Sequence, residues 1–398
     1  MIKKILILAG THFQIPVINY AKRKGHFVIT CDNRPENPGH SIADKYYKIS
    51  TTDLDGILEV SKKEGISGIL AYGSDVAALT AAYVSDSLEL QGNNFNSIET
   101  LTNKGLFRKC LKENNYPVPG FAVFSDYSKA DEYFRSVNKV AFLKPVDSSG
   151  SKGVTKLRPG DDIRNAYNNA MHFSRKKEVI IEEGVLNKGP HIHGEAFYYK
   201  GELKFMLLGD QYFSLVNSCA PLSTTLPSVY HCDIMDKIKS CLISLMSLVK
   251  FDTGGLNIEI IRDEQDNIFF IEVGPRNGGN LMPELAMSAT GFNLAAANVN
   301  AVMDEAVDFN YSTTGSHYVT QVILHSYKDG KYSGPNIPEK YSKYLTNKLI
   351  YYSEGDYVNR YRGSQDVIGL MLFKFNNISL CKELTDYILT NNLVRLID

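Results

Sequence analysis

Gly254-Gly255-Leu256-Asn257-Ile258-Glu259-Ile260-Ile261-Arg262, then Phe269-Phe270-Ile271-Glu272-Val273-Gly274-Pro275-Arg276-Asn277-Gly278-Gly279-Asn280, is the stretch on which the reading of this chain turns. Polar Asn257 and Glu259 alternate with apolar Ile258 and Ile260, the period of a strand with two unlike faces. Asp263-Glu264-Gln265-Asp266-Asn267 is a polar turn, and Glu272 closes a second apolar run just before a Gly-Pro turn. If the two strands pair as a hairpin, Glu259 and Glu272 lie side by side on one face. Carboxylates forced together repel and raise each other's pKa. A hard divalent cation removes that conflict, and Mg²⁺ commonly takes one or two carboxylates plus phosphate oxygens. Arg276, four residues after Glu272, carries a planar fork suited to a phosphate or carboxylate. The plainer alternative is an edge hairpin with a solvated acidic face.

The rest of the composition permits an ordinary globular protein. The 398 residues suffice for two or three domains, with 43% hydrophobic and 22% charged residues. The net charge of −1 gives no basic surplus for non-specific nucleic-acid binding. Six scattered cysteines (Cys31, Cys110, Cys219, Cys232, Cys241, Cys381) form no C-x-x-C, which argues against a disulfide framework or zinc site and for a reducing cytoplasm. The apolar run Ile5 to Ala9 after Lys3-Lys4 is too short for a signal-peptide core, and no stretch approaches a membrane span.

The N-terminal part reads as β-α units. Ile5–Ala9 is a buried strand ending at Gly10, Phe13–Lys24 a helix stopped by Gly25, and Phe27–Asp32 a second strand. The unit resembles a Rossmann unit, but G-x-G-x-x-G is missing, so a dinucleotide site is disfavoured. Two further units follow, with helices near Leu54–Glu64 and Val76–Ser87. Ser74-Asp75 stands at a strand's carboxyl end, where it could hold a ligand or cap the next helix. Residues 97–115 read as one linking helix with Lys104 near its middle, ended by Pro117 and Pro119.

Three further pieces suit a nucleotide. Val140–Lys144 is a strand ending in lysine, and Asp147-Ser148-Ser149-Gly150-Ser151-Lys152-Gly153 is a loop of small residues whose N–H groups can approach phosphates. It is not a P-loop, because G-x-x-x-x-G-K-[ST] is absent. Glu182-Glu183-Gly184-Val185 ends a strand with two acids and a hinge, and Glu195 opens the next strand. A purine can take a strand-end carbonyl and N–H, while a carboxylate takes ribose hydroxyls. Glu183, Val185 and Glu195 suit those tasks; a solvated strand end is the alternative for Glu182-Glu183.

In this order, with Lys104 first, the pieces resemble the ATP-grasp superfamily, in its carboxylate–amine ligase and biotin-carboxylase-like branch. The resemblance runs through most of residues 1–310. It implies a mixed α/β and α+β fold: a Rossmann-like pre-ATP-grasp domain over 1–98, a two-lobed ATP-grasp domain over 99–312 with a mobile lid lobe at about 117–186, and a small β-rich C-terminal domain over 313–398. It implies ATP and Mg²⁺ (or Mn²⁺) as cofactors. Lys104 and Lys144 look like the lysines on the ATP phosphates, and residues 147–153, including Ser148, Ser149, Gly150, Ser151 and Gly153, like the lid loop. Glu182, Glu183 and Val185 match the adenine hinge, Glu195 the acid near the ribose, and Glu259 and Glu272 the metal ligands. Arg276 matches the arginine that orients an acyl phosphate, with Lys144 beside it in the chemistry.

The implied activity is ATP-dependent activation of a small carboxylate as an acyl phosphate, then coupling to an amine, with small-molecule substrates, no nucleic acid or membrane partner, and homodimerisation as the superfamily's common habit. Two other readings stay open: a purine-biosynthesis-type enzyme acting on a phosphoribosyl intermediate, and an ATP-binding regulator with weakened catalysis. The last is prompted by Gly274, where the family often has a metal-binding Asn. Asn277, Asn257 or a water would then have to supply the missing oxygen. No base-like Glu follows Arg276, which disfavours bicarbonate activation. Residues 211–214 with 221–228 read as a loop-rich insert facing the acceptor, or as a surface excursion. His191 and His193 flank Glu195 and are expected to pack or to touch nucleotide.

Overall fold

The computed structural model describes residues 2–215, 217–230, 232–312 and 317–397. Its N-terminal part is a four-stranded parallel sheet in the order Lys45–Tyr47, Phe27–Cys31, Lys4–Leu8, Gly68–Ala71. Fully buried Ile5, Ile7, Leu6 and Leu8 alternate between its two faces, so the run is apolar throughout, as a sheet covered on both sides requires. One face packs on helix Ile15–Arg23 and on the later helix Leu294–Val302; the other packs on Leu54–Glu64 and Asp75–Ser87.

A second, antiparallel sheet has four strands, in the order Phe121–Phe124, Val179–Glu183, Ala141–Pro145, Thr155–Leu157. Helices Tyr127–Ser136 and Arg164–Phe173 cover it through Ala130, Phe134, Ala166 and Ala170. The largest element is an antiparallel sheet of eight strands: Ile268–Gly274, Gly254–Arg262, His191–Tyr199, Glu202–Phe213, Pro221–Leu226, Tyr318–Leu324, Gly369–Phe375 and Leu345–Ile350. Helix Cys232–Leu248 buries Ile238, Leu242, Leu245 and Met246 beneath its first strands. Each such side chain contributes roughly 1.5–3 kcal/mol on burial.

Two readings are corrected. The linking helix is two helices, Phe95–Thr102 and Lys104–Glu113. Asn103 between them is extended (φ −98°, ψ 112°), and its side chain accepts from the Leu106 amide, so it caps the second helix instead of continuing the first. The supposed loop-rich insert is mostly strand: Asp210 to Phe213 pairs with Pro221 to Thr225, with a bulge at Tyr212/Phe213. Its polar residues are buried between strands, which a polarity reading mistakes for a loop.

The expected division at 98/99 falls inside helix Phe95–Thr102. The one at 312/313 meets residues 313–316, which lie outside the described residues. The eight-stranded sheet contains strands from both sides of it. Among the described residues no helix is long and apolar enough to cross a membrane.

Replacing Asn103 by alanine removes the cap that starts the helix carrying Lys104. The expected loss is about 1 kcal/mol, read as a lower denaturant midpoint with an unchanged slope.

Candidate active site

The hairpin forms as the alternation requires. Strand Gly254–Arg262 pairs with Ile268–Gly274, and Asp263 accepts from the Gln265 and Asn267 amides at 3.0 and 2.8 Å to close the turn. Glu259 lies directly opposite Glu272, and Asn257 opposite Gly274, with a bulge after Glu259. Both glutamates have pKa values raised, first by burial. Asp75 raises both further and Glu259 raises Glu272, while Arg276 and Lys104 pull them back. The Lys104 ammonium stands 4.0 Å from Glu272 and donates to the Ser148 carbonyl at 2.7 Å. One cavity is walled by Asp75, Lys104, Ser148, Ser149, Glu272 and Gly274.

The loop of residues 147–153 contributes Asp147, Ser148 and Ser149 to the wall of this cavity. Gly150, Ser151 and Gly153 all have positive φ (64°, 58° and 75°), which bends the backbone sharply. Its tip reaches the large sheet's side: Ser151 donates to the Cys219 carbonyl at 3.2 Å, and Ser364 to the Gly150 carbonyl at 3.0 Å. Asp147 anchors the loop's base by accepting from Ser174 Oγ at 3.0 Å and from the Lys176 amide at 3.0 Å.

Glu182 is not a free hinge acid. It is 3% exposed and held between Lys144 (2.6 Å) and Arg108 (2.8 Å). Burial alone would raise its pKa, but the two cations win and hold it at about 2. Arg108, 1% exposed, also donates to the Phe270 and Ile271 carbonyls at 3.0 and 2.8 Å, tying the Glu182 strand to the Glu272 strand. Glu183 pairs with Lys139 at 2.7 Å, and its backbone amide donates to the Gly120 carbonyl. Val185 is half-buried just beyond the strand's end.

Glu195 is likewise turned inward. It shares a sheet face with Glu259, yet it is fully buried and accepts from Asn277 Nδ2 (2.5 Å), the Gly278 amide (2.7 Å) and Asn257 Nδ2 (3.1 Å). Burial raises its pKa to about 7 against those bonds. It fixes the loop after Arg276; it does not offer its oxygens to a ribose. The same network bears on the question of the missing asparagine oxygen. Asn277 Oδ1 accepts from Asn298 Nδ2 at 2.6 Å and Asn277 Nδ2 donates to Glu195, so its side chain is engaged; Asn257 Nδ2 lies 2.9 Å from His193 Nε2, with Asn257 on the strand face of Glu259. His193 stands opposite Glu259 in the register and is buried, which lowers its pKa to about 4 and keeps the imidazole neutral near pH 7. Arg276 donates to Asp75 Oδ2 at 2.6 Å and to the Asn277 carbonyl at 3.0 Å.

No family model matches the chain. It is 26% identical over 295 residues to an uncharacterized protein, y4rH, of Sinorhizobium fredii, covering 71% of this chain and 59% of that protein. It is 29% identical over 189 residues to a formate-dependent phosphoribosylglycinamide formyltransferase of Burkholderia mallei, covering 45% of each. The chain thus spans about half the length of the curated relatives it matches. Among solved structures, the L-amino acid ligase of Bacillus licheniformis superposes with a TM-score of 0.82 at 15% identity, over 100% of this chain and 99% of that one. Phosphoribosylglycinamide synthetase of Anaerococcus prevotii gives 0.76 at 18% identity over all of both chains. N5-Carboxyaminoimidazole synthetase of Staphylococcus aureus, complexed with ADP, gives 0.75 at 13% over 96% of each.

The chain has the ATP-grasp fold. The cavity lies between the four-stranded antiparallel sheet, which contributes the Asp147–Ser149 loop, and the eight-stranded one, which contributes Ile271, Glu272 and Gly274. Within the ATP-grasp cleft, sequence reasoning missed Arg108 and the bond between Asp75 and Arg276. Arg108 carries one local signal: it falls four residues after Lys104, on the same helical face. Asp75 carries none toward Arg276, which lies 201 residues away.

Glu182→Gln leaves Arg108 buried without its counter-charge, a change that costs roughly 3–5 kcal/mol. Glu182 has its folded pKa depressed from the ordinary 4.5 to about 2. Its contribution is therefore present above pH 4.5 and lost as pH falls toward 2. The stability gap between wild type and variant should be widest near neutrality and narrow across that window in denaturant titrations at stepped pH. A gap that stays constant would contradict the ion-pair assignment.

Proposed function

We propose that this protein is an ATP-dependent carboxylate–amine ligase. The observation that carries the reading is the in-register opposition of Glu259 and Glu272 beneath a glycine-rich lid, with Lys104 alongside. These residues fit a hard divalent cation. Both carboxylates are pushed toward the protonated form by burial and mutual repulsion, and the nearby buried Asp75 Oδ1 has no hydrogen-bond partner among the described residues. Among the described residues no three acidic, histidine or cysteine side chains close on one point. Two protein carboxylates with the remaining positions left to phosphate oxygens and water is the pattern Mg²⁺ prefers. Mg²⁺ held there supplies neutralisation of phosphate charge.

The chain's own residues supply the rest. Lys104 and Lys144 lie at the cleft as point charges for phosphates, Lys144 leaving its bond to Glu182 or sharing it. Amides of residues 148–153 cradle phosphate oxygens, and the lid excludes water. The backbone after Glu183, with Val185, receives the adenine. A substrate carboxylate oxygen attacks the terminal phosphorus and ADP leaves. An amine nitrogen then attacks the acyl carbon, phosphate departs, and the amine gives up a proton. Arg276 holds the anionic acyl phosphate through its planar fork. The ADP named with the Staphylococcus structure and the ligase named for the Bacillus one support this reading.

A second reading, a purine-type enzyme acting on a phosphoribosyl amine, is supported by the names of the Burkholderia relative and the Anaerococcus structure. An ADP-release assay over amino acids, other carboxylates and phosphoribosyl amines separates the two. ATP binding without turnover of any pair would favour a regulator instead.

Glu272→Gln and Glu259→Gln should each lower ATP turnover by at least about a hundredfold, in line with loss of a transition-state charge stabiliser, while circular dichroism stays that of the wild type. Substrate-dependent phosphate release at the wild-type rate from either variant would remove the metal assignment.

A further inference from the structure

We infer that Asp75 is a positioning residue for Arg276, brought from the N-terminal sheet into space that Gly274 leaves open. The inference rests on the proposed role of Arg276 and of the two glutamates. Asp75 is the first residue of helix Asp75–Ser87, directly after strand Gly68–Ala71. Its N-cap neighbour Ser74 makes no capping bond, and Asp75 itself reaches across to the Arg276 guanidinium at 2.6 Å. Both side chains are largely buried, at 17% and 10% exposure. A buried arginine and aspartate in contact stabilise each other, and removal of either leaves a charge without compensation.

Gly274 is what lets them meet. It lies two residues after Glu272 on the same strand face, where the resemblance leads one to expect asparagine. A Cβ at residue 274 would stand 2.9 Å from Asp75 Oδ1 and 3.4 Å from Arg276 Cζ. The first distance is closer than real Cβ contacts come, and the second already tight. A side chain at 274 would therefore have to push the Asp75 carboxylate away from its present place beside Arg276. The glycine that looked like a lost metal ligand is room made for a carboxylate from another part of the chain.

The charges around Arg276 show what that carboxylate does. Asp75, Glu272 and Glu195 all act on Arg276, and Arg276 acts on Glu259 and Glu272 in turn. Without Asp75, the guanidinium still feels Glu272, Glu259 and Glu195, of which only Glu195 has its oxygens engaged by amide donors. Arg276 would settle on the other two and compete with the metal. Asp75 holds the fork to one side, leaving both glutamates for the cation and the remaining guanidinium N–H groups for an anionic substrate group. Asp75 acts through Arg276, since among the described residues it does not join the glutamates in a three-ligand cage.

The test measures Mn²⁺ affinity of the full-length protein with ADP present, by the electron paramagnetic resonance signal of free Mn²⁺. Asp75→Asn keeps the shape and removes the charge, and should weaken Mn²⁺ about ten- to a hundredfold, the usual effect of losing a residue that orients a ligand shell. In an Arg276→Ala background the same substitution should change the affinity less than twofold. Gly274→Ala should weaken Mn²⁺ in the wild type, by pushing Asp75 aside, and have no effect when added to Asp75→Ala. If Asp75→Asn does not fold, the Gly274→Ala pair carries the same comparison. Wild-type affinity in both Asp75→Asn and Gly274→Ala overturns the inference. So does an equal loss from Asp75→Asn with and without Arg276, which would mean direct action on the cation. A wild-type protein that binds no Mn²⁺ with ADP overturns the functional reading itself, and this role of Arg276 with it.

Discussion

Two glutamates face each other across a pair of antiparallel strands, and the surrounding structure is arranged around that conflict. Directly opposed carboxylates in a half-buried cleft are unfavourable by themselves. Lys104, capped into place at the start of its helix, approaches Glu272 from the linker side. Arg276 returns from the following turn, and its guanidinium is held off by Asp75. The cations around the site offset the repulsion without bonding tightly to either glutamate, which is the condition for a divalent ion to be held there.

A few ångströms away, charge is handled in the opposite way. Arg108 and Glu182 form an ion pair with almost no exposure, and the more exposed Lys144 joins it at 2.6 Å. Glu195 sits in a cage of amide donors with no cation bonded to it. The first network joins the four-stranded antiparallel sheet to the eight-stranded one, and the second pins the loop that carries Arg276. Both are scaffolding for the site, built from acids that look the same as the glutamates at its centre. Partners decide the difference. A carboxylate whose oxygens are already taken orients its neighbours, and one left facing a like charge invites a ligand.

That contrast explains what could be read from the sequence. The hairpin was legible because five turn residues separate its strands and alternation fixes which side chains share a face. The β-α units and most helix positions were legible for the same local reason. Asn103 was not seen as a break, because asparagine is tolerable in a helix and its capping bond depends on backbone geometry. The elements that carry Glu182 and Glu195 are legible from the sequence, but the bonds to Arg108, Lys144, Asn277 and Asn257 are not. Arg108 bonds to residues 162 and 163 positions away, and Asp75 to one 201 away, and no period in a sequence encodes contacts at such range. The buried polar strands around Gln211 and Thr224 read as a loop because polar residues ordinarily signal exposure.

The eight-stranded sheet does not stop where the sequence changes character. Tyr318–Leu324 hydrogen-bonds to Pro221–Leu226, and Gly369–Phe375 and Leu345–Ile350 extend the same ladder outward. The last fifth of the chain is therefore woven into the ladder that begins with the two glutamates, and cannot be cut away as an appendage. Without it, Pro221–Leu226 would become a bare rim with unsatisfied amides and carbonyls, open to pairing with any extended peptide. Shortened forms ending before Tyr318 would consequently be prone to self-association through that rim.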